Sequence, residues 1–163
     1  EKCEPRVLVA RARVAAGEVV AGLTALESAA DTVDNRVRCL EELVTMARAM
    51  GDETRVQRGL DKITNAGCGE DLECARNLSW VAQQEEQRGN SRRALGLYKR
   101  AYERSPEDDS LLECVARLAG RAGLHAEAAE DYDRLARRRP TEAQWKQAED
   151  AERQAAMRGA MNL

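Results

Sequence analysis

A spacing of 34 residues constrains this chain more than any other feature of its sequence. Gly89 is followed by Ala94, Tyr98, Ala101 and Pro106, and the same order returns as Gly123, Ala128, Tyr132, Leu135 and Pro140. That period accommodates a helix, a tight turn, a second helix and a link to the next pair. Gly89 and Gly123 stand where a first helix ends and the chain reverses, a position that favours the residue most at ease with positive φ. The alanines fall early in the second helix, where a small side chain lets two helices approach closely, and the tyrosines fill the gap one turn on. Pro106 and Pro140 stop that helix, because proline inside a helix clashes with the preceding turn.

The same marker organises the first half. Gly51 precedes Gly89 by 38 residues and Gly17 precedes Gly51 by 34. This predicts four repeats at about 3–36, 37–70, 75–108 and 109–142. In the first, Val7, Val9, Ala10 and Val14 form one apolar stripe, and Val20, Leu23, Leu26 and Ala30 form the next; Gly22 takes the small-residue position. The second buries Leu40, Leu43, Val44 and Ala47, then opens a helix with Asp52 as N-cap that turns Val56, Leu60 and Ile63 inward. Asn65 to Gly69 replace its proline, and four extra residues precede the third repeat. Beyond Pro140, a capping helix is expected over about 141–158, with Thr141 as N-cap. Its Ala148, Ala151 and Ala155 are expected on the last repeat, and Gln144, Lys146, Glu149, Glu152 and Arg153 in water. Asn162 and Leu163 are expected to fray or to lead into more protein.

The glycine, alanine, tyrosine and proline positions resemble the tetratricopeptide repeat. The family's first-helix tryptophan and tyrosine are replaced by Leu78 and Glu85 in one copy and by Leu112 and Ala119 in the other. The resemblance implies an all-α, right-handed α-solenoid of about four helical hairpins plus a C-terminal capping helix, a single domain over 1–163. It also implies that first helices line a concave groove. Arg11, Arg38, Glu41, Thr45, Arg48, Arg76, Ser79, Trp80, Gln83, Glu113, Arg117 and Arg121 fall on or near that groove. Arginines with one tryptophan suit an acidic or carboxylate-bearing peptide, through bidentate pairing and an apolar anchor. With equal weight, several of these arginines pair with Glu41, Glu42, Glu86 and Glu113 on neighbouring helices. The family's grip on the carboxyl-terminal tails of cytosolic chaperones depends on a lysine and asparagines at fixed groove positions. Val7 and Arg11, or Glu41 and Thr45, stand there instead, which disfavours that role.

Composition narrows the function classes. With 34% charged residues, 3% aromatic and no phenylalanine, the chain suits short helices with small apolar faces rather than one large core. A net charge of −3 gives no general affinity for nucleic acid. No apolar run approaches the roughly 18–20 residues that span a bilayer. The one histidine, His125, is read as a helix-start residue. No Gly-rich phosphate loop, nucleophile elbow or metal motif is present. Glu85 with Glu86, and Asp108 with Asp109, are read as solvated faces or caps. No enzyme, metal site or cofactor is expected.

Five cysteines are many for a cytosolic helical scaffold of this size. Cys68 and Cys74 bracket the inserted loop, and Cys3 and Cys39 start neighbouring first helices, so two disulfides are expected with Cys114 left over. The alternative is five reduced, buried thiols. Oxidation implies the periplasm or cell envelope, and reduction the cytoplasm. The chain starts at Glu1 without an initiator methionine, so a processed or excised chain is expected, with any signal peptide or lipid anchor out of view. A composition rich in alanine and arginine suggests a high-GC bacterium. The expected function is a non-catalytic protein-interaction scaffold of a bacterial envelope complex, serving outer-membrane assembly, secretion, pilus or motility machinery. The alternatives are a structural spacer or self-associating segment of a longer protein, or a cytosolic adaptor.

Overall fold

The computed structural model describes residues 3–32, 36–66 and 68–161, and these form nine α-helices. Contacts divide them into two compact units, residues 1–67 and 68–163. The first holds α1 (Glu4–Ala15), α2 (Val19–Ala30), α3 (Arg36–Ala49) and α4 (Glu53–Thr64). The second holds α5 (Asp71–Gln87), α6 (Ser91–Arg104), α7 (Asp109–Arg121), α8 (His125–Arg138) and α9 (Ala143–Met161). Within each unit, helices consecutive in sequence pack against each other.

The turns follow from local chemistry. Gly17, Gly51, Gly89 and Gly123 adopt φ of 86°, 73°, 80° and 80°, and they are the positive-φ residues among those described. Each closes a first helix: after Gly89, for example, the amide of Asn90 donates to the Glu85 carbonyl at 2.9 Å. Asp52 caps α4 by accepting from the Arg55 amide at 3.0 Å, and Asp108 caps α7 by accepting from the Ser110 amide at 2.9 Å. α6 and α8 end just before Pro106 and Pro140.

The core is aliphatic and small. Ala94, Ala101 and Ala128 are fully buried, as are Leu23, Leu26, Leu40, Leu60, Leu112 and Leu135. Tyr98 is buried, whereas Tyr132 is half-buried and stacks on Trp145 of α9 with ring centroids 6.3 Å apart. In α2, a Cβ at Gly22 would lie 2.8 Å from the Ala10 carbonyl oxygen, so this glycine permits the close approach of α1 and α2.

Several expectations need correction. Val9 and Val20 are exposed (51% and 67%); α1 packs chiefly on α2, with a smaller contact to α3, and its covered face is the one carrying Cys3, Val7 and Ala10. The residues inserted before the third repeat are in part helical, making α5 17 residues long and placing Cys74 in its first turns. α9 starts at Ala143, not after a Thr141 cap, and Glu142 accepts from the Trp145 indole Nε1 at 3.0 Å. The face of α9 also differs: Glu149 is only 1% exposed and Glu152 is half-buried, while Ala151 is exposed. Asn162 and Leu163 lie outside the described residues.

Candidate functional site

In the second unit, the first helices α5 and α7 are bound side by side by charge. Arg117 donates to both oxygens of Glu86, at 2.5 and 3.0 Å, and Arg121 reaches Oε1 of the same carboxylate at 3.3 Å. A bidentate guanidinium–carboxylate pair fixes geometry as well as charge. The hydrogen bonds from Arg117 hold the Glu86 carboxyl below its ordinary value, and the same bonds push the Arg117 guanidinium up. Nearby, the Tyr98 hydroxyl lies against Cys114, and burial, with Cys114 and Glu86 beside it, pushes its pKa up.

Towards the N-terminal ends of the same two helices an open cavity of about 600 Å³ is lined by Leu72, Ala75, Arg76 and Ser79 of α5 and Leu111 of α7. Glu70, Glu73 and Asp108 complete its wall. Leu72 is 71% exposed, whereas Ala75 and Leu111 are buried beneath the cavity. Of this lining the sequence places Arg76 and Ser79 on or near the groove; its apolar and acidic part was missed, and the one signal for it was a leucine set among acids in Glu70-Asp71-Leu72-Glu73.

The expected groove residues divide accordingly. In the second unit Arg76, Gln83 and Arg121 are exposed, and Trp80 and Arg117 are half-buried. The Arg76 guanidinium donates to Asn77 beside it at 3.2 Å. In the first unit, Arg11 of α1 donates to Glu42 of α3 at 2.8 Å, and Arg38 lies 3.5 Å from both Glu41 and Glu42. The Thr45 hydroxyl donates to the Glu41 carbonyl at 2.8 Å, and Arg48 is half-buried. Pairing across neighbouring first helices therefore accounts for Arg11, Arg117 and Arg121. Glu42 and Glu86 are the anions of these pairs; the sequence names both as pairing partners, and Glu86 also as part of a solvated face with Glu85.

Glu85 and Glu86 are not a solvated face. Glu85 is fully buried at the α5–α6 turn, where Oε2 accepts from Asn90 Nδ2 at 2.6 Å and from Arg88 at 3.3 Å, while Arg93 lies 3.1 Å from Oε1. Asp108 and Asp109 are a cap and an ion-pair centre: Asp109 accepts from Arg139 at 2.7 Å and from Arg138 at 3.0 Å. His125 does start α8, and its Nδ1 lies 2.7 Å from Glu152, tying α8 to α9. Gly120 leaves the space that the Glu152 carboxylate fills.

The structure brings both expected cysteine pairs to disulfide distance. The Cα atoms of Cys3 and Cys39 are 5.6 Å apart, and those of Cys68 and Cys74 are 5.4 Å apart. Cys114 has no sulfur partner. Among the described residues, no cluster of three or more histidine, cysteine or carboxylate side chains is placed to hold a metal ion. No described helix is long and apolar enough to cross a membrane.

No protein-family model matches the sequence, and no curated protein matches it. Solved structures do match the fold. A crystal structure of MamA shares 14% identity over 91% of this chain and 84% of its own, with a TM-score of 0.61. A second MamA structure gives 0.63 at 13% identity, over 94% of this chain and 82% of that one. A tetratricopeptide repeat protein from Parabacteroides merdae gives 0.63 at 18% identity; it is covered over 60% of its length by 96% of this chain. The chain is all-α and has a tetratricopeptide-repeat-like fold.

Proposed function

We propose that this chain is a non-catalytic protein-interaction scaffold, built as four repeats at about 3–36, 37–70, 75–108 and 109–142, that docks a partner protein or peptide on the faces of its first helices. One observation carries this reading. In the second unit, α5 and α7 are cross-braced by Glu86, Arg117 and Arg121, and this rigid pair carries exposed Arg76 and Gln83, half-buried Trp80 and an open cavity. Rigid elements that present a tryptophan and polar side chains are the usual form of a docking surface. An acidic group of the partner would be received by Arg76, or by Arg121 in competition with Glu86. In the first unit, Arg11, Arg38, Glu41, Thr45 and Arg48 form the matching set.

The two cysteine pairs support an oxidising home, the periplasm or cell envelope, reached directly or through a partner or lipid anchor, and a place in a bacterial envelope complex. The test is photo-crosslinking in the native cell, with a benzophenone amino acid at Gln83 on α5 or at Arg100 on α6, both exposed. A distinct adduct from position 83 and none from position 100 is the expected result. Equal adducts from both, or none from either, would remove the first-helix face as the docking surface.

A second reading, a self-associating segment or spacer, is favoured by Leu8, Val9 and Val20, which are 67%, 51% and 67% exposed at the N-terminal hairpin. Terminal repeats of stacked helical arrays ordinarily carry a polar outer face.

A further inference from the structure

We infer that the cavity between the N-terminal ends of α5 and α7 receives a basic amphipathic segment of the partner, with an apolar side chain on Leu72, Ala75 and Leu111 and a lysine or arginine beside it on Glu70 and Glu73. This rests on the scaffold reading above and names the partner's chemistry at one end of the same face. The volume of about 600 Å³ lies within the roughly 300–1,000 Å³ range of ligand pockets and admits more than one side chain. Its apolar base is offered to an occupant: Ala75 and Leu111 lie beneath the opening, and Leu72 stands 71% exposed at its edge.

Charge complementarity selects the occupant. Three carboxylates, Glu70, Glu73 and Asp108, face one guanidinium, Arg76. Acids in a first helical turn ordinarily serve the helix itself, through capping and the macrodipole. Asp108 does so, since its Oδ1 accepts from the Ser110 amide at 2.9 Å. Glu70 precedes α5 but makes no side-chain cap bond, so its carboxylate is not consumed by the helix. The pocket therefore keeps acidic groups directed at whatever enters, at the end of α5 opposite to Glu86. The segment that carries Glu70, Leu72 and Glu73 lies between Cys68 and Cys74, whose sulfurs are at disulfide distance. A bond there fixes the acidic wall against α5 before any partner arrives, and a preformed wall lowers the ordering cost of binding.

The test is fluorescence anisotropy of the full chain with three labelled eleven-residue probes in a Gly-Ser frame. One has a Leu-Lys-Leu-Arg centre, one has its basic residues replaced by glutamate, and one has its leucines replaced by serine. The first is expected to bind at least about tenfold more tightly than either other probe. Leu72→Ser and Glu73→Lys, both at exposed positions, should each weaken it about tenfold at unchanged helical circular dichroism, and Glu73→Lys should raise affinity for the glutamate probe. Reduction of the Cys68–Cys74 bond should weaken it as well. Equal binding of the basic and glutamate probes overturns the inference, as does binding indifferent to both variants. Self-association of the chain alone that Leu72→Ser abolishes would assign the pocket to a second copy and likewise overturn it. If the probes fail while position 83 still crosslinks a partner, the pocket chemistry is wrong and the scaffold stands. Loss of the position-83 adduct removes the scaffold reading itself.

Discussion

A carboxylate taken out of water is expensive unless donors surround it, and Glu85 is the residue in this chain that shows how the cost is met. It is fully buried, yet Asn90, Arg88 and Arg93 all reach it within 3.3 Å. All three lie within eight residues downstream, so one side chain ties the end of α5 to the start of α6 across the Gly89 turn. In the next copy Ala119 occupies the equivalent place, and that turn is held by backbone hydrogen bonds, such as the Leu124 amide to the Ala119 carbonyl at 2.9 Å, without a buried carboxylate. Glu85→Ala should cost about 2–3 kcal/mol, because it removes the hydrogen bonds and the ion pair that three donors make to one charged group. Glu85→Gln keeps an acceptor for Asn90 and should cost less. Urea denaturation of both variants checks this; a loss in Glu85→Gln as large as that in Glu85→Ala would mean that the negative charge carries the whole effect and the retained acceptor contributes nothing. In the sequence Glu85 read as half of a surface pair with Glu86, because periodicity cannot separate an inward glutamate from an outward one. Glu149 was misplaced for the same reason: Lys146 and Arg153, one turn either side on α9, satisfy it while its helix turns it inward.

At the scale of elements, the Glu86–Arg117–Arg121 brace is what makes α5 and α7 one surface, and it has a pH signature. The Arg117 hydrogen bonds hold the Glu86 carboxyl below its ordinary value of 4.5. A carboxyl depressed by folding contributes stability that is fully present above the unfolded value and is lost as pH falls through the folded one. Between pH 7 and about 5 the native protein and Glu86→Gln should therefore show a constant difference in urea midpoint. Below about pH 4.5 the difference should shrink as the native brace protonates. Parallel curves down to pH 3 would mean that the pair contributes no net stability, as many exposed pairs do not. The hairpins themselves were legible in the sequence, because glycine at positive φ, aspartate at an N-cap and proline after a helix each act through local geometry. Which face of a terminal helix is covered is not local. Val9 and Val20 read as core by spacing, but only a helix packed outside them would have buried them. The cavity at Leu72 was equally hidden, since it forms between side chains some 40 residues apart that no spacing rule connects.

At the scale of the whole molecule, aromatic-poor packing sets how much the cysteines matter. The first unit builds its core from leucine, valine and alanine on four helices of 12–14 residues, and such small cores commonly gain from a covalent staple. Cys3 and Cys39 would close a segment of 36 residues between α1 and α3, whereas Cys68 and Cys74 would close one of 6 at the start of α5. In the chain-entropy account these bonds are worth about 4 and about 2 kcal/mol respectively. Reduction should therefore act unequally. Hydrogen exchange in a phosphine reductant should accelerate the buried amides of α1 to α4 by roughly three orders of magnitude, and those of α6 to α8 by about one and a half. Equal acceleration in both units would contradict the loop-length argument. No acceleration in either, together with five alkylated cysteines in the intact mass, would mean that the pairs are reduced in the native protein. Two intact bonds and one alkylated thiol at Cys114 would instead require a compartment that keeps disulfides oxidised, because a reducing cytosol would leave the first unit without the cross-link that its small core most depends on.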